Sequence, residues 1–275
     1  MKTRILSIFT RTPLHVGAGA SVGVVDLPVQ RERHTQIPII PGSSLKGVLR
    51  DLWNDEKEKQ KELFGNEPGA GKDLRAGDLL VGEARVLCFP VRSARGGFAW
   101  ITSPLAVRRY YRDRGVPAPQ LPEVPDEKAY AGGGVIVKNS VILEDYRLAA
   151  EALPAGLEKL LDGFMPKEPL VRTAAERLVV VSDGTFSHFC ATACEVQQRV
   201  RIDDDTGVVA KGALFNQENV PAETLFYAVM GERNGRSVFS DVEKKLEENA
   251  GILQVGADET VGLGFCSVYL QPAVG

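Results

Sequence analysis

Leu14–Arg50 reads LHVGAGASVGVVDLPVQRERHTQIPIIPGSSLKGVLR, and its two halves ask the backbone for different things. Gly17, Gly19 and Gly23 make the first half a permissive loop in which backbone can approach another molecule closely. A dinucleotide-binding turn would run from such glycines straight into a helix, but here VVDLPVQ follows, which is not helical. Pro41-Gly42-Ser43-Ser44 then opens a helix, with serine expected to cap its free amides. Leu45, Val48, Leu49, Leu52 and Trp53 fall at i, i+3, i+4, i+7 and i+8, one apolar stripe. Lys46 and Arg50 sit one turn apart on its flank, where a phosphate would meet two cations and the helix dipole. GSSLKG lacks the GK[ST] of a Walker loop, which argues against nucleotide hydrolysis.

Outward from this stretch, Thr3–Thr10 reads as a central strand with both faces partly apolar. Gly65–Gly77 is a glycine- and charge-rich loop. Leu79–Val91 and Phe98–Thr102 pair through a Gly-Gly turn within Ser93–Gly97. Pro104–Arg114 has helix character, with Arg108, Arg109, Arg112 and Arg114 around Tyr110 and Tyr111. That pattern suits base stacking and phosphate contact as well as a solvated helix face. The proline-rich Val116–Pro125 marks an insertion or loop. Val135–Leu143 reads as a strand, and Glu151–Leu161 and Leu170–Val181 read as helical. Glu195–Phe215 is a hairpin that turns at Asp203–Gly207, with one basic face from Arg199 and Arg201, and it ends in Leu214-Phe215. Thr224–Met230 is a buried strand, and Ser237–Asn249 an amphipathic helix stopped by Gly251. Gly256, Gly262 and Gly264 form a tight loop before the last strand. This order fits an α+β, ferredoxin-like sheet with helices on one face and insertions on the other.

The 275 residues can bury a substantial core, and 44% hydrophobic with 25% charged residues is ordinary globular composition. No apolar run reaches the roughly 18–20 residues of a membrane span, and MKTRILSIFTRTPLH is too short in apolar length for a signal peptide. A cytoplasmic location is expected, with no membrane partner. The four cysteines do not form a disulfide framework. His188, Cys190 and Cys194 match no common zinc spacing and are read as packed residues with structural thiols. Net charge is −3, yet residues 1–50 hold seven cations against Asp26 and Glu32, while acids concentrate in Asp51–Glu62 and Asp241–Glu259. Such a split surface suits a polyanion on one face and head-to-tail stacking of copies.

Asp26 is the only acid between Met1 and Gln30, just ahead of Arg31 and Arg33. A carboxylate on a loop beside phosphate-binding cations can hold a metal ion or take the proton from a ribose 2′-hydroxyl. The alternative is an aspartate that caps a turn. His15, at the mouth of the same loop, is either an acid or phosphate-positioning group or a packed histidine. Glu223 is a candidate second acid, and His34 a candidate to orient Arg31–Thr35.

VGVVDLPVQRERHT with PIIPGSSLKG, the hairpin RVRIDDDTGVVAKGALF and the terminal GADETVGLGF together resemble the RAMP superfamily of CRISPR–Cas proteins. More narrowly they resemble the repeated backbone subunit of the type III-B (Cmr) RNA-targeting effector. The resemblance implies one ferredoxin-like (RRM-type) domain over residues 1–275, with a helical and loop insertion at about 104–182 and a β-hairpin thumb at about 195–215. It also implies stacking into a helical filament along a CRISPR RNA guide, with other subunits of the effector complex as neighbours. The thumb would wedge into the duplex of guide and complementary target RNA, and the first-loop aspartate, Asp26 here, would cut the target with Mg2+ or Mn2+. Under it, His15 and Glu223 join Asp26 as catalytic candidates. RNA contact is expected at Arg31, Arg33, Ser43, Ser44, Lys46, Arg50, Arg199, Arg201, Leu214, Phe215, Gly262 and Gly264. Gln36 stands where relatives are expected to carry glycine. A non-catalytic RNA scaffold, a guide-processing ribonuclease and a nucleotide-utilising enzyme are the competing readings.

Overall fold

The computed structural model describes residues 1–21, 23–66, 75–202, 207–233 and 236–273, with side chains for all of these but 201 and 210–213. Most of the turn expected at Asp203–Gly207 and most of the Gly65–Gly77 loop therefore lie outside the described residues, as does the side chain of Arg201.

The chain begins with β1 (Lys2–Thr10), β2 (Ile39–Ile40), α1 (Gly42–Asp51) and α2 (Lys57–Phe64). Next come β3 (Leu79–Ser93), β4 (Gly97–Thr102), α3 (Pro104–Arg114), β5 (Lys128–Ala131), β6 (Ser140–Leu143) and β7 (Tyr146–Ala152). Then follow α4 (Pro169–Arg172), β8 (Leu178–Val180), α5 (Asp183–Thr192), β9 (Glu195–Ile202) and β10 (Val209–Asn219). The last elements are β11 (Leu225–Glu232), α6 (Phe239–Glu248), β12 (Ile252–Gln254) and β13 (Phe265–Leu270).

One α+β architecture results, organised on an 11-stranded sheet in the order β12-β13-β1-β11-β3-β4-β8-β5-β7-β6, with β2 beside β3. β1 lies between β13 and β11, antiparallel to both, and alternates its side chains between two cores. Leu6 and Ile8 join Leu45, Leu49 and Trp53 of the α1 region and Val242 and Leu246 of α6 on one face. Ile5 and Phe9 join Val107 and Tyr110 of α3 and the Leu157–Met165 segment on the other. Burial on both faces explains why Thr3–Thr10 shows no clean apolar–polar alternation.

β3 is 15 residues long and serves both halves of the sheet. Its first part pairs with β11 from Leu79 to Cys88, and its end pairs with β4 from Phe89 to Ser93. β4, β8, β5, β7 and β6 continue outward, and Ser93 opposite Leu143 brings β6 back against β3. The strands that extend the sheet thus begin inside β3, and residues 104–182 carry the four short strands β5–β8 together with α3, α4 and 3-10 turns. Two expected helices are corrected here. Glu151 lies at the end of β7 and most of Glu151–Leu161 is irregular with one short 3-10 turn, while Leu170–Val181 holds the end of α4, a 3-10 turn and β8. Of the strand expected over Val135–Leu143, only Ser140–Leu143 forms.

The apolar stripe of α1 packs as its spacing requires, with Leu45 and Leu49 fully buried. Its cap differs from expectation. Pro41 occupies the N-cap position, no side chain caps the helix, and Ser43 and Ser44 lie inside the first turn. The helix start presses so close to β3 that a Cβ on Gly42 would come within 2.7 Å of the Val81 carbonyl oxygen.

Candidate functional site

The loop after β1 is a finger with two tied limbs. Leu14 and Val220 exchange backbone hydrogen bonds of 2.8 Å, fixing the ascending limb to the end of β10. Gln30 donates to Val16 and Ala18 to Pro28, both at 2.8 Å, closing the limbs on each other. The descending limb then runs parallel to β10. Leu27 donates to the Asn216 carbonyl and Glu218 donates to the Leu27 carbonyl, each at 3.0 Å.

Asp26 sits where this limb meets the thumb strand. Its Oδ2 accepts the Asn216 backbone N–H at 2.8 Å, while the residue as a whole is exposed. A backbone N–H bonded to one oxygen fixes the carboxylate plane and leaves Oδ1 for a ligand. Phe215, next to Asn216, pairs with Arg199 on β9, and Leu214 pairs with Val200. The structure therefore brings together Asp26, Arg199, Leu214 and Phe215 at the root of the thumb.

Glu218 locks the arrangement. Its Oε2 accepts the Val29 N–H at 3.0 Å and its Oε1 meets the Arg31 guanidinium at 2.5 Å. Its own carbonyl lies 2.6 Å from His15 Nδ1. A carbonyl only accepts, so Nδ1 carries the proton. His15 is buried, with Nε2 over Gly17, whose Cβ would come within 2.8 Å of it. Of the two readings of His15, the geometry is that of the packed, hydrogen-bonded one.

Arg31 is equally committed. Besides Glu218 it donates to the Gln36 and Cys190 carbonyls at 2.7 and 2.8 Å and to Cys194 Sγ at 3.3 Å. It braces the loop against the end of α5 rather than facing solvent, whereas Arg33 is exposed. Burial pushes the Cys194 thiol up to about 12, and Cys88, Cys190 and Cys266 are also buried and raised. His34 accepts from Arg109 at 3.1 Å beside Glu32, which places it at the Arg31–Thr35 turn. Gln36 has φ +60°, a left-handed conformation in which glycine is at ease.

The C-terminal glycine loop seals the other side. Ala257 donates to the His15 carbonyl at 2.9 Å, and Asp258 meets Arg199 at 3.1 Å and Gln217 at 2.7 Å. Gly264 has φ +75°, and a Cβ there would lie 2.0 Å from the Val255 carbonyl oxygen. Gly262 has φ +85° with open space around it.

Glu223 and the α1 residues lie outside this centre. Glu223 bonds through its backbone to Thr10 and Trp100, and burial, then Glu195 and Glu168, raise its carboxyl. No described interaction joins it to Asp26. Ser43, Ser44 and Lys46 lie in the first turns of α1 and Arg50 in its last, and the helix starts close to the finger's base because Ile39 donates to the Gln30 carbonyl at 3.0 Å. Lys46 borders a shallow cleft with Thr3, Leu80 and Val229.

Sequence reasoning missed Asn216, Gln217, Glu218 and Asp258. Asn216–Asn219 is a run of four polar residues inside a strand, three of them buried, and that run was the available signal.

For a metal ion the donor set is thin. Among the described residues no group of three or more His, Cys, Asp or Glu side chains converges, and Asp26 has one oxygen already engaged. Mg2+ and Mn2+ favour six oxygen ligands. Among the described residues Asp26 is the one carboxylate at this site with a free oxygen, and these residues by themselves do not form a closed metal site.

The RAMP superfamily model matches residues 8–267. A CRISPR system Cmr endoribonuclease, Cmr4 of Pyrococcus furiosus, is 35% identical over 289 aligned residues, covering 98% of this chain and 96% of that protein. The crystal structure of oligomeric Cmr4 from that organism superposes with a TM-score of 0.77 at 30% identity over the whole of both chains. A chain from the type III-B Cmr-beta complex bound to cognate target RNA gives a TM-score of 0.76 at 21% identity, covering 98% of this chain and 97% of that one, a likeness of fold. The match to residues 8–267 and the full-length identity to Cmr4 place this chain in the RAMP superfamily, among its Cmr4-like members.

Proposed function

We propose that this chain is a repeating RNA-binding subunit of a type III-B effector that cuts guide-paired target RNA, with Asp26 as the catalytic carboxylate. Its partners on this reading are a CRISPR RNA guide, a complementary target RNA, further copies of itself and other subunits of the complex, in the cytoplasm. The observation that carries the reading is the exposed Asp26 carboxylate held by the Asn216 N–H at the root of the thumb. A nucleotide displaced from a duplex by the thumb would lie beside that carboxylate. Unstacking frees the ribose to bring its 2′-hydroxyl in line with the adjacent phosphate, a geometry a regular helix disfavours. Asp26 Oδ1 would then take the hydroxyl proton as the 2′-oxygen bonds to phosphorus and the P–O5′ bond breaks, leaving a 2′,3′-cyclic phosphate, with the departing 5′-oxygen protonated from solvent. Arg33 and Lys46 supply charge for the RNA backbone.

Full-length likeness to an endoribonuclease supports the activity. The order β13-β1-β11-β3, with α1 between β1 and β3 and α6 between β11 and β13, supports reading the first half of the sheet as a ferredoxin-like core. A divalent ion belongs to the proposal as a requirement of the assembled complex.

The test compares wild type with Asp26→Asn in a guide-loaded complex, with end-labelled complementary RNA and added Mg2+ or Mn2+. We expect a regular ladder of products from wild type and its loss in the variant, with RNA binding retained. Binding without cutting by either protein would make the chain a scaffold. A ladder that survives the substitution would move catalysis to another residue.

A further inference from the structure

The arginine-rich α3 has one part that the RNA-cutting reading does not use. Arg109 is spent on Glu32 and Arg112 on Asp113, but Arg114 lies at the edge of a separate cleft of about 450 Å³. The cleft is closed by the start of β1, the end of α3, Phe239 and the segment after β13.

Nearly all the polar groups around it are already paired. Gln271 donates to Ser7 at 2.8 Å and to the Tyr110 hydroxyl at 2.9 Å, which makes a rigid floor. Arg4 donates to the Gln271 carbonyl at 2.6 Å and pairs with Glu243 at 3.2 Å. Asp113, the one acid in the lining, is neutralised from outside by Arg112 at 2.8 Å and Arg85 at 3.4 Å and also accepts from Tyr227.

Two cations are left over. Lys2 is exposed and has no described partner. Arg114 stacks its guanidinium 5.3 Å from the centre of the Tyr110 ring, and its Nε is buried with no hydrogen-bond partner. That Nε is closed off from the cleft, so a ligand there meets the guanidinium through its terminal nitrogens, for which no partner is described. The rigid floor holds that guanidinium in place, and the volume falls in the range of small-ligand sites.

We propose that this cleft binds phosphate, as the free ion or as the phosphate of a nucleotide, between Lys2 and Arg114. Arginine presents a planar fork matched to phosphate oxygens, and lysine adds a second charge from the start of β1. The site is separate from Asp26, so it stands or falls independently of the cleavage reading.

Calorimetric titration of the full chain with inorganic phosphate, 5′-AMP and adenosine tests it. Phosphate and AMP should bind saturably and adenosine should not. Arg114→Gln and Lys2→Gln should each weaken binding by about tenfold or more, the scale of a charge-assisted hydrogen bond. Arg114→Lys, which keeps the charge, should lose less. AMP binding tighter than phosphate would identify a nucleotide as the source, and equal affinity the free ion. Absence of saturable binding by either probe overturns the proposal, as does binding that neither substitution weakens. If Arg114→Gln loses its folded circular-dichroism signal, Lys2→Gln decides alone, since that exposed side chain takes no part in packing.

Discussion

Arg31 and Arg33 stand two residues apart in one basic run and meet opposite fates. Arg33 reaches solvent, while Arg31 is anchored by four partners at the finger, the thumb and α5. Between them, Glu32 is buried and receives Arg109 at 2.9 Å and the Thr35 hydroxyl at 2.6 Å. Burial alone would raise its carboxyl, but the Thr35 bond and Arg109 outweigh it and hold the group below the ordinary value of 4.5. A depressed folded pKa adds stability above the unfolded value, and that stability is lost as pH falls through the folded one. Urea midpoints of the wild type should therefore drop with acidity below about pH 4.5, and Glu32→Gln should drop less steeply. At pH 7 the variant should be less stable by roughly 1–3 kcal/mol, the cost of taking a charged hydrogen-bond partner from the half-buried Arg109, and the two curves should converge in acid. Parallel curves would show that Glu32 contributes no such linkage. Asp26 was legible as the lone acid of the first thirty residues. Glu218 was not, because its role exists only once β10 lies against a limb some 190 residues earlier in the chain.

Elements with a strong local pattern were legible to within a residue or two. α3 spans Pro104–Arg114 as its pattern demanded, with Ser103 accepting from Ala106 as a true cap. Residues 146–161 (YRLAAEALPAGLEKLL) are rich in alanine, leucine and glutamate, which favour helix by propensity. Their first part is strand because Ala149–Ala152 pair with Lys128–Ala131 and Tyr146–Ala149 with Ser140–Leu143, and tertiary pairing overrides a weak local preference. The start of α1 separates pattern from chemistry in the same way. Leu49 is fully buried, so Leu49→Ala should cost about 3 kcal/mol in denaturant unfolding. Ser44 bonds to nothing through its side chain at the helix start, so Ser44→Ala should change stability by less than about 0.5 kcal/mol. A loss near 1 kcal/mol would instead mean that the serine caps the helix in solution.

At the scale of the molecule, β9 and β10 form a separate two-stranded sheet beside the large one. A lone hairpin is marginal in water, and among the described residues this one is tied down at its root, by the finger and by Asp258. Along one edge of its alternation Val196, Val200, Ile202 and Leu214 are 56%, 51%, 49% and 55% exposed. Val200 faces Leu214 across the strands, so the apolar groups are contiguous rather than scattered. A folded chain gains nothing by presenting such a strip to water, and apolar side chains of this kind act as wedges where nucleic-acid bases must be unstacked. Val200→Ser with Leu214→Ser removes apolar surface that packs little in the free chain, so its urea midpoint should move by no more than about 0.5 kcal/mol. If the strip is the wedge, the same double variant in a guide-loaded complex should bind target RNA yet cut it slowly, because the nucleotide opposite Asp26 stays stacked. Unchanged cutting would show that bases are displaced without this strip. A large loss of stability would show that it packs within the chain. The pair of measurements therefore separates what folds the thumb from what the thumb does.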